Sequence, residues 1–237
     1  MKYIILTFSL LLVSISNSFS NIDTTPDHST WDALLKKHVS NDGKVDYKGF
    51  KSDIATLDEY LSTLSTNAPE SSWSEDEQLA FWINAYNAFT VKLIVKNYPV
   101  NSITDLHNGK PWDVKWINIG DQTLSLNQIE NEIIRPTFNE PRIHFAVNCA
   151  AKSCPPLMNS AYTALELDNQ LESQTTSFIN NSRYNTLSPS KITISKIFEW
   201  YGSDFDDVVD FINDYAPQVK SSAKVSYNEY DWALNQK

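Results

Sequence analysis

Along most of the chain, apolar residues recur at helical spacing, and they alternate only in a few short stretches. Trp31, Leu34 and Leu35 give a first helix starting at Ser29 or Thr30, before "SNDGKVDY" turns into a short extended piece. Ile54, Leu57, Leu61 and Leu64 predict a second helix after Ser52. Ser74 and Glu77 then form a Ser-x-x-Glu capping box at the head of "EDEQLAFWINAYNAFTVKLIVKNYP", which Pro99 ends. Between Leu79 and Val91 the apolar residues wrap almost the whole circumference, and a helix apolar all round is buried. It is expected to be the central helix, over about residues 75–98.

Beyond it, "WDVKWINIGDQTLSL" alternates Trp112, Val114 and Trp116 on one face and turns at Gly120-Asp121, a hairpin signal. Ser125 and Gln128 suggest a capping box for a helix that runs through Ile129 and Ile133 and stops at Arg135, before Pro136. "RIHFAV" reads as a short strand. Thr163 and Glu166 cap a further helix carrying Leu167, Leu171 and Phe178 inward; "KITIS" is a strand; Asp204 caps a helix through Val208, Val209 and Ile212; "KVSYNEYDWAL" is a closing extended segment. Helices outnumber strands without strict alternation, so the expected class is α+β: a single, mostly helical domain over residues 29–237, with a small, largely antiparallel sheet.

The N-terminus changes the picture of where this domain works. "MKYIILTFSLLLVSISNSFS" has one lysine, an apolar run from Tyr3 to Ile15 and small residues at Ser18 and Ser20, the pattern of a secretory signal peptide over residues 1–20. Residues 21–28 read as a flexible lead-in. No cysteine follows Ser20 to take a lipid anchor, and no later run is long enough to span a bilayer. An exported protein, periplasmic or extracellular, is expected, with no membrane insertion after cleavage. A net charge of −10 repels phosphate backbones, which argues against nucleic acid.

Candidate chemistry gathers in three places. Asn84 and Asn87, three apart on the central helix, leave the same face, either tying loop backbone to the core or lining a site. Glu130 can turn partly inward from its helix, whereas Glu132 faces water. "RIHFAVNCAAKSCPPL" holds His144, Cys149 and Cys154. On a straight strand, His144 and Cys149 would point to opposite faces, so pairing them as base and nucleophile requires the strand to end or bulge. In an oxidising compartment two cysteines favour a Cys149–Cys154 disulfide, though free thiols stay open. The spacing fits no zinc motif, and no metal or cofactor is implied. Trp112 and Trp116 offer a stacking surface or core packing.

The ordered blocks "QLAFWINAYNAFTVKLIV", "PW" at Pro111-Trp112, "LSLNQIENEIIRP", "PRIHFAVNCAAKSCPPL", "SKIFEWYGSDF" and "YDWALN" resemble the domain-of-unknown-function 547 family, from about Asp42 to Asn235. Members of that family look like exported bacterial domains or, in plants, domains joined to coiled coils. The resemblance places its motif residues on Asn84, Asn87, Glu130, Arg135, Arg142, His144, Cys149 and Cys154. It departs at Asn131, where the family usually has histidine after the glutamate of "IE"; were that histidine an essential base, this chain would be impaired or would use His144. The expected function is binding of a small molecule, glycan or peptide at a polar site near the Asn-rich helix and the His/Cys stretch, through Asn84, Asn87, Glu130, Arg135 and Arg142. The alternative is a cysteine-dependent hydrolase or acyl transferase using Cys149 and His144.

Overall fold

The computed structural model describes residues 25–237; the signal-peptide segment 1–20 and residues 21–24 of the lead-in lie outside them. Of the lead-in, His28 is tied down, its Nδ1 lying 2.8 Å from the Tyr60 hydroxyl. The domain is mostly helical α+β, built around the long helix Glu75–Asn97.

Helix α1 (Ser29–His38) presents Trp31, Leu34 and Leu35 to the core, and α3 (Ile54–Thr66) presents Leu57, Tyr60, Leu61 and Leu64. Between them the expected extended piece narrows to a bridge at Val45, and a short α2 (Tyr47–Ser52) follows. Asp46 caps it by accepting the Gly49 N–H at 2.8 Å. Helix α4 (Glu75–Asn97) starts at the expected capping box, with Ser74 N–H donating to Glu77 at 2.6 Å and Glu77 N–H donating to Ser74 Oγ at 3.2 Å. Every residue from Leu79 to Val91 is buried. At the next position, Lys92 escapes by pairing with Asp58 on α3.

The hairpin is shorter than its alternation suggested. Strands β1 (Ile117–Ile119) and β2 (Gln122–Leu124) pair antiparallel around Gly120. Trp112 instead sits in a 3-10 turn, Pro111–Asp113, where it packs on Trp232, while Trp116 packs on Phe89. The two tryptophans therefore do not share a face. Proline at the head of that turn explains the break, because it fixes φ and removes the donor that a longer ladder would need.

The Ser125/Gln128 capping box forms and opens α5 (Leu126–Gln128). The helix then widens into a π turn, Ile129–Ile134, and closes as α6 (Arg135–Thr137), two residues beyond the expected stop. Arg135 N–H bonds back to the Glu130 carbonyl, and Phe138 N–H to Ile134. Pro136 falls between them, so its missing donor does not end the helix.

"RIHFAV" is not a strand. Pro141–Phe145 is a 3-10 helix, with Glu140 accepting the Arg142 N–H at 3.0 Å and Ala146 N–H bonding to the Ile143 carbonyl. Proline at the first position and a capping carboxylate favour a turn over an extended chain.

The remaining elements make a second core beside α4. Helix α7 (Leu167–Ile179) carries Phe178 and Ile179 into it. The Thr163/Glu166 capping box does not form; Gln170 takes the Thr163 N–H instead. Strand β3 (Thr186–Leu187) pairs antiparallel with β4 (Lys191–Ile194), and β4 pairs parallel with β5 (Lys224–Tyr227). Short α8 (Ile197–Trp200) and α9 (Val208–Tyr215) complete it, α9 capped by Asp207 and not by Asp204. Asp207 directly precedes the first helical residue, the position from which a side chain reaches the second and third N–H groups. No helix among the described residues is long and apolar enough to cross a membrane.

Candidate functional site

A cleft of about 310 Å³ opens where the two cores meet. Tyr86 comes from α4, Glu130 and Asn131 from the π turn, His144 from the 3-10 helix and Tyr201 from the residue after α8. Trp112, Trp200, Tyr230 and Trp232 form an aromatic wall in ring contact: Trp112 to Trp232 at 5.5 Å, Trp232 to Tyr230 at 4.5 Å, and Tyr230 to Trp200 at 4.8 Å. Cys149 and Cys154 line the same space.

Glu130 is 6% exposed, although its neighbours Asn131 and Glu132 are less buried. The π turn adds a residue to the helical circuit, which resets the faces of the residues after it; such turns recur at functional sites. Burial pushes the Glu130 carboxyl above the usual carboxylate range, while the Tyr201 and Tyr86 hydroxyls and the Arg135 charge pull it partly back. A carboxyl donates a hydrogen bond when protonated and only accepts when ionised, and this shift favours the protonated form.

His144 is 2% exposed. Its Nε2 lies 2.8 Å from Asp204 Oδ2, and its ring stacks on Tyr201 at 4.1 Å. Burial pushes the imidazole down to about 4, against the opposing pull of Asp204. Near neutrality it is uncharged, and the Asp204 contact assigns the proton to Nε2. Nδ1 is then a bare lone pair, and it is buried without a hydrogen-bond partner among the described residues.

Asp204 is held in turn by Arg135, whose Nε and second guanidinium nitrogen reach its two oxygens at 2.7 Å each. That bidentate pairing keeps the Asp204 carboxyl far below its ordinary range. Arg135 also donates to Asn131 Oδ1 at 2.7 Å. Asn131 thus props the arginine from the cleft wall.

The structure separates the other expected site residues from this cluster. Asn84 donates to the Tyr162 carbonyl at 2.7 Å and accepts the Tyr162 N–H at 3.0 Å. Asn87 does the same for Ala146 O at 2.9 Å and Asn148 N–H at 2.8 Å. Each amide clamps a loop to α4, and neither lines the cleft. Arg142 faces Glu140, Asp168 and Glu172, outside the cleft.

Both cysteines are free, contrary to the disulfide expectation. Ala150, at φ 65°, turns the chain after Cys149, and the Cys149 N–H donates to Cys154 Sγ at 2.9 Å. Cys149 Sγ lies 3.2 Å from the Tyr230 hydroxyl. The strand-parity objection to a shared His144 and Cys149 site falls with the strand. Yet the polar contacts of His144 run to Asp204, and those of Cys149 to Cys154 and Tyr230.

Asp204, Tyr86, Tyr201, Trp200, Tyr230 and Trp232 are cleft or supporting residues that the pattern of the chain did not single out. Asp204 was obscured by its role as an apparent helix cap. Asp207, immediately before Val208, was the signal that a better cap was at hand.

Fold and cleft together define a mostly helical α+β domain with an aromatic-walled pocket over a buried carboxyl and imidazole. Residues 70–179 match the family model described as "Protein of unknown function, DUF547", the family that the ordered sequence blocks resemble. The matched span holds α4, Glu130, Arg135, His144 and both cysteines, whereas Tyr201, Asp204 and Tyr230 follow it. No curated protein and no solved structure matches the chain.

Proposed function

We propose that this is a binding domain whose cleft receives a small, neutral, polyhydroxylated ligand, a sugar ring being the best chemical fit. The observation that carries the reading is the buried, unpartnered Nδ1 of His144 in a cleft walled by aromatic rings. An unpaired polar atom in such a place costs about 1–3 kcal/mol, which a bound hydroxyl would relieve. Glu130, held toward its neutral form, supplies a donor beside that acceptor, and sugar hydroxyls answer both. The aromatic wall offers flat apolar faces for the C–H side of a ring. An anionic ligand would meet Asp113, while the nearby Arg135 is already committed to Asp204.

The test is a tryptophan-fluorescence titration with neutral mono- and disaccharides. A saturable change is expected that weakens about tenfold in Trp232→Ala, the scale of a lost aromatic contact. A flat response across the neutral panel, or an unchanged affinity in Trp232→Ala, removes the reading.

The hydrolase or acyl-transferase alternative is supported by Cys149 and His144 lining one cleft. It requires Cys149→Ser to abolish turnover of an activated ester and His144→Gln to shift its pH profile. We also infer export to the periplasm or beyond, on the strength of the leader at residues 1–20. N-terminal sequencing of the mature protein would then begin after Ser20, and an intact Met1 in the cytoplasmic fraction would refute it.

A further inference from the structure

The cysteine pair is an unused piece of chemistry on the wall of this cleft. Cys149 is partly exposed, and Cys154 is buried at 5%. The Cys154 sulfur already lies 2.9 Å from the Cys149 backbone nitrogen, two bonds from the Cys149 Cβ. Bringing the sulfurs together therefore calls for side-chain rotation, with the loop staying where Ala150 and the Asn148 amide hold it. Asn148 is itself fastened four ways: its N–H to Asn87, its amide nitrogen to the Pro155 carbonyl at 2.7 Å, and its amide oxygen accepting the Ala150 N–H at 2.9 Å and the Asn235 amide N–H at 3.1 Å. A rigid loop that keeps one thiol partly exposed and the other covered, with the covered sulfur against the first cysteine's backbone, suits stepwise exchange better than a permanent staple.

We propose that Cys149 and Cys154 form a thiol–disulfide exchange pair acting on small organic disulfides that enter the cleft, with Cys149 attacking and Cys154 resolving. The electronic environment runs the same way. The Cys154 contact and the Tyr230 hydroxyl pull the Cys149 thiol below its ordinary range, against its burial. Burial pushes the Cys154 thiol up. The attacking sulfur is thus the better thiolate, and the resolving one stays protonated until it is needed.

In the first step Cys149 thiolate forms a bond to one sulfur of the substrate disulfide, whose S–S bond breaks and releases one thiolate. In the second, Cys154 loses its proton and attacks the Cys149 sulfur of that mixed disulfide, releasing the other thiolate. The substrate gains two electrons and leaves as two thiols after protonation; the protein loses two electrons and holds a Cys149–Cys154 disulfide. The reaction reverses with excess small thiol.

The experiment uses the mature protein with bis(2-hydroxyethyl) disulfide, a small uncharged probe. Wild type is expected to lose both titratable thiols and to regain them with excess 2-mercaptoethanol. Cys154→Ser is expected to accumulate one hydroxyethylthio adduct on Cys149, while Cys149→Ser reacts at least about tenfold more slowly, its remaining thiol being covered. Should Cys154→Ser fold poorly, acid-quenched wild type mapped by mass spectrometry reads the same order, the transient adduct appearing on Cys149 first. Retention of both thiols in wild type overturns the proposal. So does a first adduct on Cys154, or a stable mixed disulfide on Cys149 that Cys154 never displaces. None of these outcomes depends on whether the cleft also binds sugars.

Discussion

Asn84 and Asn87 on α4, and Glu130 and His144 beside it, are all buried, yet they are settled in opposite ways. Each amide turns its nitrogen and its oxygen to backbone groups of a loop, at Tyr162 and at Ala146–Asn148, and neither lines the cleft. The second cluster leaves His144 Nδ1 unpartnered and keeps a carboxyl where water would normally ionise it. The first arrangement is what a structural clamp looks like, and the second is what a site looks like. Polar groups in a core are informative by what they leave open, not by being there.

The largest effect expected from breaking this contrast is on the clamp side. Asn84→Ala strands the Tyr162 N–H and carbonyl together, and should cost about 2–4 kcal/mol in urea unfolding at one to two lost partners. Cleft ligand binding and Cys149 reactivity should survive it wherever the protein stays folded. A small stability change would mean that the clamp is not what holds the loop.

The site side should answer to pH first. His144 is held at about 4 in the fold, below the ordinary value of 6.5, as is His28. Unfolded chain takes up these protons between about 6.5 and 4 while the folded protein does not, so stability falls as pH drops through that window. His144→Gln should make the decline shallower, with the His28 share remaining; an unchanged slope would mean that His144 is not kept neutral by its burial.

Glu130 carries the opposite sign. Its carboxyl is raised in the fold, so the stability it contributes is present below the ordinary carboxylate range and is lost as pH rises through the folded value. Glu130→Gln preserves the contacts with the tyrosine hydroxyls and should remove that loss above the folded value, leaving acid stability alone. A variant less stable than wild type at high pH would place an ionised carboxylate in the cleft. The smallest change in stability belongs to Trp200→Ala. At 46% exposed the ring is mostly outside the core, so unfolding should shift within about 0.5 kcal/mol while ligand affinity falls.

Much of the architecture was legible in the chain. The capping boxes at Ser74 and Ser125, the all-round apolar stretch of α4 and the turn at Gly120 are local signals, and local hydrogen bonds satisfy them where they were expected. Errors arose where one short signal competed with another. Pro141 turned an apolar run into a 3-10 helix, and Asp207 displaced Asp204 as a cap. Glu130 was readable as a carboxylate that could turn inward, but nothing in the helical period foretold a π turn or two tyrosine hydroxyls waiting for it.

By itself, then, the sequence determined where the long helices run, which of them is the centre and which residue types are at hand for chemistry, because caps, periodicity and residue type act over a few positions. Only the tertiary structure decided which of those residues meet. His144 and Asp204 lie 60 positions apart, Cys149 and Tyr230 lie 81 apart, and their encounter depends on how two cores pack against one helix. That packing is a sum over distant apolar contacts, and no local pattern carries it.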